Sequence, residues 1–160
     1  MKSCVAIDPG NNGAIVYLTS RGVFKFHEMP VTVIGKTTEI DFEGVERILR
    51  LYQGEHVLLE RAVSFGMGAG GAFNYGRGFA ALEIAVKLLE MSVTYVEPSK
   101  WAKWAHQGIE KDLKPKAKSL IAGKRLFPVE FNMIPKGPKS GKPHEGILDA
   151  LLIAGYGLRG

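Results

Sequence analysis

One cysteine, Cys4, is too few for an intrachain disulfide or a cysteine-based zinc cluster. It lies in the apolar run SCVAI and reads as a small buried hydrophobe. No apolar stretch approaches the roughly 20 residues that cross a bilayer. The opening MKSCVAIDPG lacks an apolar core followed by a small-residue cleavage site, so no signal peptide is expected and the chain reads as cytoplasmic. Acids are scarce in one region. Between Lys100 and Lys142 only Glu110, Asp112 and Glu130 stand against 11 Lys and Arg, a local excess of +8 within a net charge of +5. The remainder is therefore −3. A basic region of this kind is the electrostatic footprint of a phosphate-backbone binder, and equally of a merely solvated lysine-rich surface.

What is present is ordinary for a globular protein: 46% hydrophobic and 23% charged residues over 160 positions, one domain's worth spanning 1–160. The run Ser3 to Ile7 is β-prone and is broken by Asp8-Pro9-Gly10-Asn11-Asn12-Gly13. Ala14 to Leu18 is a second strand, and Gly22 to Met29 a third, in a hairpin meander. Asp41 is placed to cap a helix to about Tyr52, with Phe42, Val45, Ile48, Leu49 and Tyr52 on one face. His56 to Glu60 (HVLLE) reads as a central strand buried on both faces.

The stretch Arg61 to Gly78 is too rich in glycine for a strand or helix interior. It reads as a loop that turns helical near Asn74 to Gly78 and stays so to about Met91. Val93 to Val96 is a strand stopped by Pro98, followed by a short helix carrying Trp101 and Trp104. A basic helix covers Lys114 to about Phe127, a proline- and lysine-rich surface loop covers Pro128 to Pro143, and a last helix runs from His144 or Glu145 to about Gly157. Hairpins first and crossovers later give an α/β chain: a mixed five-stranded sheet with helices on both faces.

Four carboxylates occupy positions from which a site is built. Asp8 ends the first strand and Glu60 the fourth; Glu145 and Asp149, four apart, share one face of the last helix. If the first and fourth strands are parallel neighbours, their C-terminal ends unite Asp8 and Glu60, at the sheet edge where α/β proteins bind ligands. Packing Ile147, Leu148, Leu151 and Leu152 on the sheet then delivers the other two acids. Clustered like charges raise one another's pKa unless a cation neutralises them. An all-oxygen set suits Mg²⁺, and two such ions activate water and steady the leaving oxygen of a phosphodiester. Each acid also has a plainer use. Asp before Pro-Gly is a common turn former, and Glu145 suits a helix N-terminus. Glu60 and Asp149, flanked by apolar runs, are harder to explain that way. Arg61 is a poor partner for Glu60, because adjacent strand residues point to opposite faces.

Four motifs, AIDPGNNGAIVYL, LLERAVSFGMGAGGAFNYGRGFAALEIA, VEPSKWAKW and HEGILDALLIA, resemble in order the signatures of RuvC-like Holliday junction resolvases of phage type, across nearly the whole chain. The resemblance implies an RNase H-like fold, a homodimer, and paired Mg²⁺-dependent nicks across a four-way DNA junction that leave 5′-phosphates. Mn²⁺ is the expected substitute for the two Mg²⁺ ions, and the host cytoplasm the expected place for a phage-encoded enzyme. By position, Asp8, Glu60, Glu145 and Asp149 take the catalytic and metal-binding roles. Bacterial members carry the third acid or a histidine three residues before the last Asp, where this chain has Gly146. Phage members carry it four before, usually as Asp rather than Glu145. Helix geometry tolerates either spacing, so His144 stays a candidate beside Glu145. For DNA contact the resemblance and the local chemistry single out Phe65, Met67, Phe73, Tyr75 and Arg77, with Lys114, Lys116 and Lys118 on phosphates. Interface or core packing is the alternative use of the aromatics, and sheet packing the expected one for Trp101 and Trp104.

Other readings of the chain are a nuclease for RNA–DNA hybrids or flaps, with the same metal chemistry, and a catalytically silent DNA-binding module. The silent module is expected to have lost an acid, and all four are present. Actin-like and sugar-kinase ATPases also place Asp-x-Gly after a first strand, but they need two such domains and far more chain.

Overall fold

The computed structural model describes residues 1–61, 66–138 and 141–159. Strand β1 (Ser3–Asp8) is the centre of the sheet. It pairs antiparallel with β2 (Ala14–Thr19), which pairs antiparallel with β3 (Phe24–Glu28). A separate exposed hairpin follows, β4 (Val31–Ile34) with β5 (Thr37–Ile40), and then helix α1 (Phe42–Arg50). Strand β6 (Val57–Glu60) lies parallel to β1 on its other side. After helix α2 (Ala69–Leu88), strand β7 (Val93–Val96) adds parallel to β6. The five-stranded order is therefore β3-β2-β1-β6-β7, a mixed sheet as expected.

Helices α3 (Pro98–Ala105), α4 (Pro115–Leu126), α5 (Pro128–Met133) and α6 (Glu145–Leu158) complete the chain. Alternation along β1 sorts the core into two layers. Cys4 and Ala6, with Val16 and Leu58, pack under α3, α4 and α6. Val5 and Ile7, with Ile15, Val57 and Leu59, pack against Val45 and Leu49 of α1 and Leu82, Ala85 and Val86 of α2. The sheet thus has helices on both faces. Helix α6 is the most buried, since Gly146 to Leu148 and Ala150 to Gly155 are all inside. Each fully buried Ile or Leu there contributes about 1.5–3 kcal/mol relative to exposure.

Three expectations need correction. Helix α2 begins at Ala69, so much of the glycine-rich stretch expected to be loop is helical. Close packing explains one of its glycines: a Cβ on Gly78 would come 2.9 Å from Ile40 Cδ1 of β5. The expected surface loop after Pro128 starts with α5, which buries Phe131. Asp41 does precede α1, but its side chain makes no capping hydrogen bond. It stands 3.9 Å from Arg47 instead.

Candidate metal and nucleic-acid site

The parallel register brings the first two acids together. Val5, Ala6 and Ile7 stand opposite Val57, Leu58 and Leu59, so Asp8 and Glu60 form the next rung, at the C-terminal edge of both strands. They share the parity of Ala6 and Leu58, whose side chains lie in the α6 layer. Helix α6 packs across β1 and β2 and brings Asp149, one turn in, over the same edge. Asp8, Glu60 and Asp149 are each partly accessible, in a rim of buried neighbours.

The electrostatics record their proximity. Burial raises the Asp8 carboxyl well above its ordinary range, and the charges of Asp149 and Glu60 raise it further. Asp149 is raised to about 7, first by burial and then by Glu60 and Glu145, against the lowering effects of a Ser119 hydrogen bond and Lys116. Glu60 is raised by burial, while a hydrogen bond from Trp101 pulls it down. Three carboxyls from three separate segments thus hold protons more tightly than free carboxyls do.

Glu145 stands outermost, exposed, with Lys116 Nζ at 2.7 Å. His144 is buried, and its Nδ1 accepts the Ile147 backbone N–H at 3.3 Å as the N-cap of α6. Its proton is then on Nε2, which lies 3.9 Å from Glu28 on β3. The structure therefore gives His144 a capping task, while the charge of Glu145 reaches Asp149. Gly146 is where α6 meets the β1–β2 turn. A Cβ there would lie 2.3 Å from the Asn12 carbonyl oxygen and 2.7 Å from Gly13 Cα. No side chain, acidic or otherwise, fits at that position without moving the turn.

The expected DNA contacts are dispersed. Phe65 lies outside the described residues. Met67 is exposed just before α2, and Phe73 is 65% exposed on it. Tyr75 turns the other way: it packs beside Gly10, and burial together with Glu60 and Asp8 raises its phenol to about 12. It borders the acids rather than standing free as a stacking platform. Arg77 donates to both carboxylate oxygens of Glu39 on β5, at 2.9 and 3.1 Å, and lies 5.8 Å from the Phe73 ring centre.

Lys114 precedes α4, and Lys118 Nζ donates to the Lys111 carbonyl at 2.7 Å. Beside the acids is a cavity of about 270 Å³ whose wall includes Lys114, Lys116, Ser119, Lys142, Glu145 and Asp149. The cavity lining thus carries both cationic and anionic groups, the former suited to a phosphate and the latter to a cation.

Sequence reasoning missed three polar residues at the site. Trp101 Nε1 donates to Glu60 Oε1 at 2.7 Å. Ser119 is buried, meets His106 Nε2 at 3.3 Å, and lowers the proton affinity of Asp149. Only the tryptophan had a signal, its place in the VEPSKWAKW motif. Arg61, correctly set aside as a partner for Glu60, pairs with Glu97 at 3.0 Å.

Among the described residues no three His, Cys, Asp or Glu side chains are gathered closely enough to grip a metal ion as they stand. In the free protein Glu145 is paired with Lys116, and one oxygen of Glu60 accepts from Trp101. The donor set nevertheless fits a hard divalent cation: it is all oxygen, anionic, and mutually repelling without one. Among the same residues no helix is long and apolar enough to cross a membrane.

No family model matches the sequence, and no curated protein matches it. Solved structures do. The chain is similar to RuvC of T. thermophilus in complex with a Holliday junction substrate, with a TM-score of 0.64 and 14% identity over 99% of this chain and 96% of that one. It is similar also to a Thermus thermophilus RuvC structure, with a TM-score of 0.59 and 16% identity over 98% of this chain and 95% of that one. Over nearly its whole length, the chain has the RNase H-like α/β fold of the RuvC resolvases.

Proposed function

We propose that the protein is a divalent-cation-dependent DNA endonuclease, a single nuclease domain over residues 1–160 that resolves four-way junctions by paired nicks leaving 5′-phosphates. One observation carries this reading: Asp8, Glu60 and Asp149 converge from two strand ends and a helix on one sheet edge, with raised proton affinity, beside a lysine-walled cavity. The junction-bound state of the RuvC of like fold supports branched DNA as the substrate.

Asp8, Glu60, Asp149 and Glu145 would hold Mg²⁺, or Mn²⁺ in its place, as two ions. Bound there, the ions supply an activated water and charge stabilisation for the leaving oxygen. The chain's own contribution is positioning. Asp8 and Glu60 are fixed by the sheet, Asp149 by a helix buried against it, and Glu145 by the first turn of that helix. Lys114, Lys116 and Lys142 neutralise backbone phosphates entering the cavity. Met67 and Phe73, exposed at the start of α2, are available to the DNA strand, and Tyr75 borders the acids.

A homodimer suits paired nicking, since one site serves each strand. The exposed apolar side chains Ile84 and Leu88, one turn apart on α2, support it.

Asp8→Asn separates this proposal from a silent DNA-binding module. Junction cutting falls below detection, while junction affinity measured in Ca²⁺ stays within about threefold, a free-energy change of roughly 0.6 kcal/mol. Full cutting by the variant would remove Asp8 from the chemistry. Loss of binding as well would make it a folding residue.

A further inference from the structure

Glu60 is a carboxylate at the end of a buried strand, and such a group needs a donor. A cation was available next to it in sequence, but Arg61 points away and pairs with Glu97. The donor comes instead from 41 residues downstream, where the Trp101 indole N–H reaches Glu60 Oε1 at 2.7 Å. Trp101 is only 7% exposed, in the first turn of α3 behind Pro98. No other hydrogen bond to Glu60 is made among the described residues, which leaves Oε2 unengaged. The choice of donor matters chemically. Arg or Lys would hold the carboxylate and cancel its charge; a neutral indole holds it and leaves the charge for a cation.

We infer that Trp101 is a positioning residue, whose indole N–H orients Glu60 so that its other oxygen is presented to the divalent ion at the sheet edge. The inference rests on the nuclease reading for what the ion does, though not for the contact itself. Its neighbours make the indole rigid. The Trp101 ring packs edge-on against His106 with centroids 6.2 Å apart, and His106 meets the buried Ser119 of α4 at 3.3 Å. Helix α4 thus backs α3, which carries the indole. Trp104, three residues on, packs against Tyr156 and Arg159 at the far end of α6.

The chain has two tryptophans, so its ¹⁵N–¹H spectrum carries two indole signals. Trp101→Phe deletes one and assigns both; a Trp104 signal held at its wild-type position, within a dispersed amide spectrum, reports that the variant is folded. Glu60→Gln should shift the Trp101 signal and leave that of Trp104, and Mg²⁺ added to the free protein should shift the same signal. In Trp101→Phe the Mg²⁺ concentration for half-maximal junction cutting should rise about 10- to 100-fold, as losing a group that orients a metal ligand does, with the rate recovering at high Mg²⁺. Junction affinity in Ca²⁺ should not change. A Trp101 signal indifferent to Glu60→Gln overturns the contact, and an unchanged Mg²⁺ midpoint overturns the positioning role. If Trp101→Phe does not fold, the Glu60→Gln and Mg²⁺ shifts decide. If the wild type cuts no branched DNA, the nuclease reading fails, while the spectra still judge the contact.

Discussion

Lys116 and Glu145 close a 2.7 Å ion pair between α4 and the first turn of α6, so a lysine of the cavity wall and the outermost acid of the candidate site neutralise each other in the free protein. Both side chains are more than half exposed, and such pairs contribute about 0–1 kcal/mol to stability. Lys116→Ala should therefore leave the melting temperature within about 4 °C. It should weaken junction binding and lower the magnitude of the salt slope, d log K/d log[salt], by about 1. Binding isotherms at several salt concentrations check this; an unchanged slope would place Lys116 off the DNA path.

Asp8 and Asp149 make a stability prediction of definite sign. Both carboxyls bind protons more tightly folded than unfolded. Their stabilising contribution is complete below the ordinary value of 3.8 and, for Asp149, is lost as pH rises through about 7. Without divalent ions the protein should melt lower at pH 8 than at pH 5. Asp149→Asn should flatten that dependence and raise the melting temperature at pH 8, having removed a repelled, poorly solvated charge. Mg²⁺ should stabilise the wild type at pH 8 far more than the variant. Thermal melts across pH, with and without Mg²⁺, measure all three.

Much of this site was legible without a structure because its signals are local. Asp8 stands where a β-run meets turn residues, Glu60 where HVLLE ends, and Asp149 where an acid interrupts apolar helix. Once the sheet pairs β1 with β6, two-residue alternation puts Asp8 and Glu60 on the same face. The rest depends on contacts distant in sequence. Nothing near Trp101 announces a carboxylate 41 residues earlier, and nothing near Ser119 announces Asp149. The β4–β5 hairpin was missed because Val31 to Ile34 is exposed throughout, so no burial alternation marks it; only Gly35, with φ of 64°, signals its turn. The start of α2 was missed because each glycine costs a helix about 1 kcal/mol, a penalty this segment bears at Gly70, Gly71, Gly76 and Gly78.

Gly146 tests the packing of α6 on the β1–β2 turn. A methyl group there meets backbone at 2.3 Å, and overpacking of this kind costs about 1–3 kcal/mol. Gly146→Ala should lower the melting temperature by about 2–12 °C, and Gly146→Asp should lower it further rather than add a metal ligand. A calorimetric scan of each variant checks the order.

The apolar pair on α2 predicts the oligomeric state. Ile84→Lys with Leu88→Lys should yield a folded monomer by light scattering and convert paired junction nicks into single ones. A wild-type monomer at micromolar concentration would remove the dimer from the account.

Cutting of a synthetic four-way junction, beside duplex, fork and RNA–DNA hybrid controls, with Mg²⁺ and with chelator, separates a resolvase from a binding module. Symmetric nicks with 5′-phosphates on the junction, abolished by chelator and by Asp8→Asn, are expected. Tight junction binding without cutting in Mg²⁺ or Mn²⁺ would contradict the resolvase reading, and would make the protein a binding module on a nuclease fold.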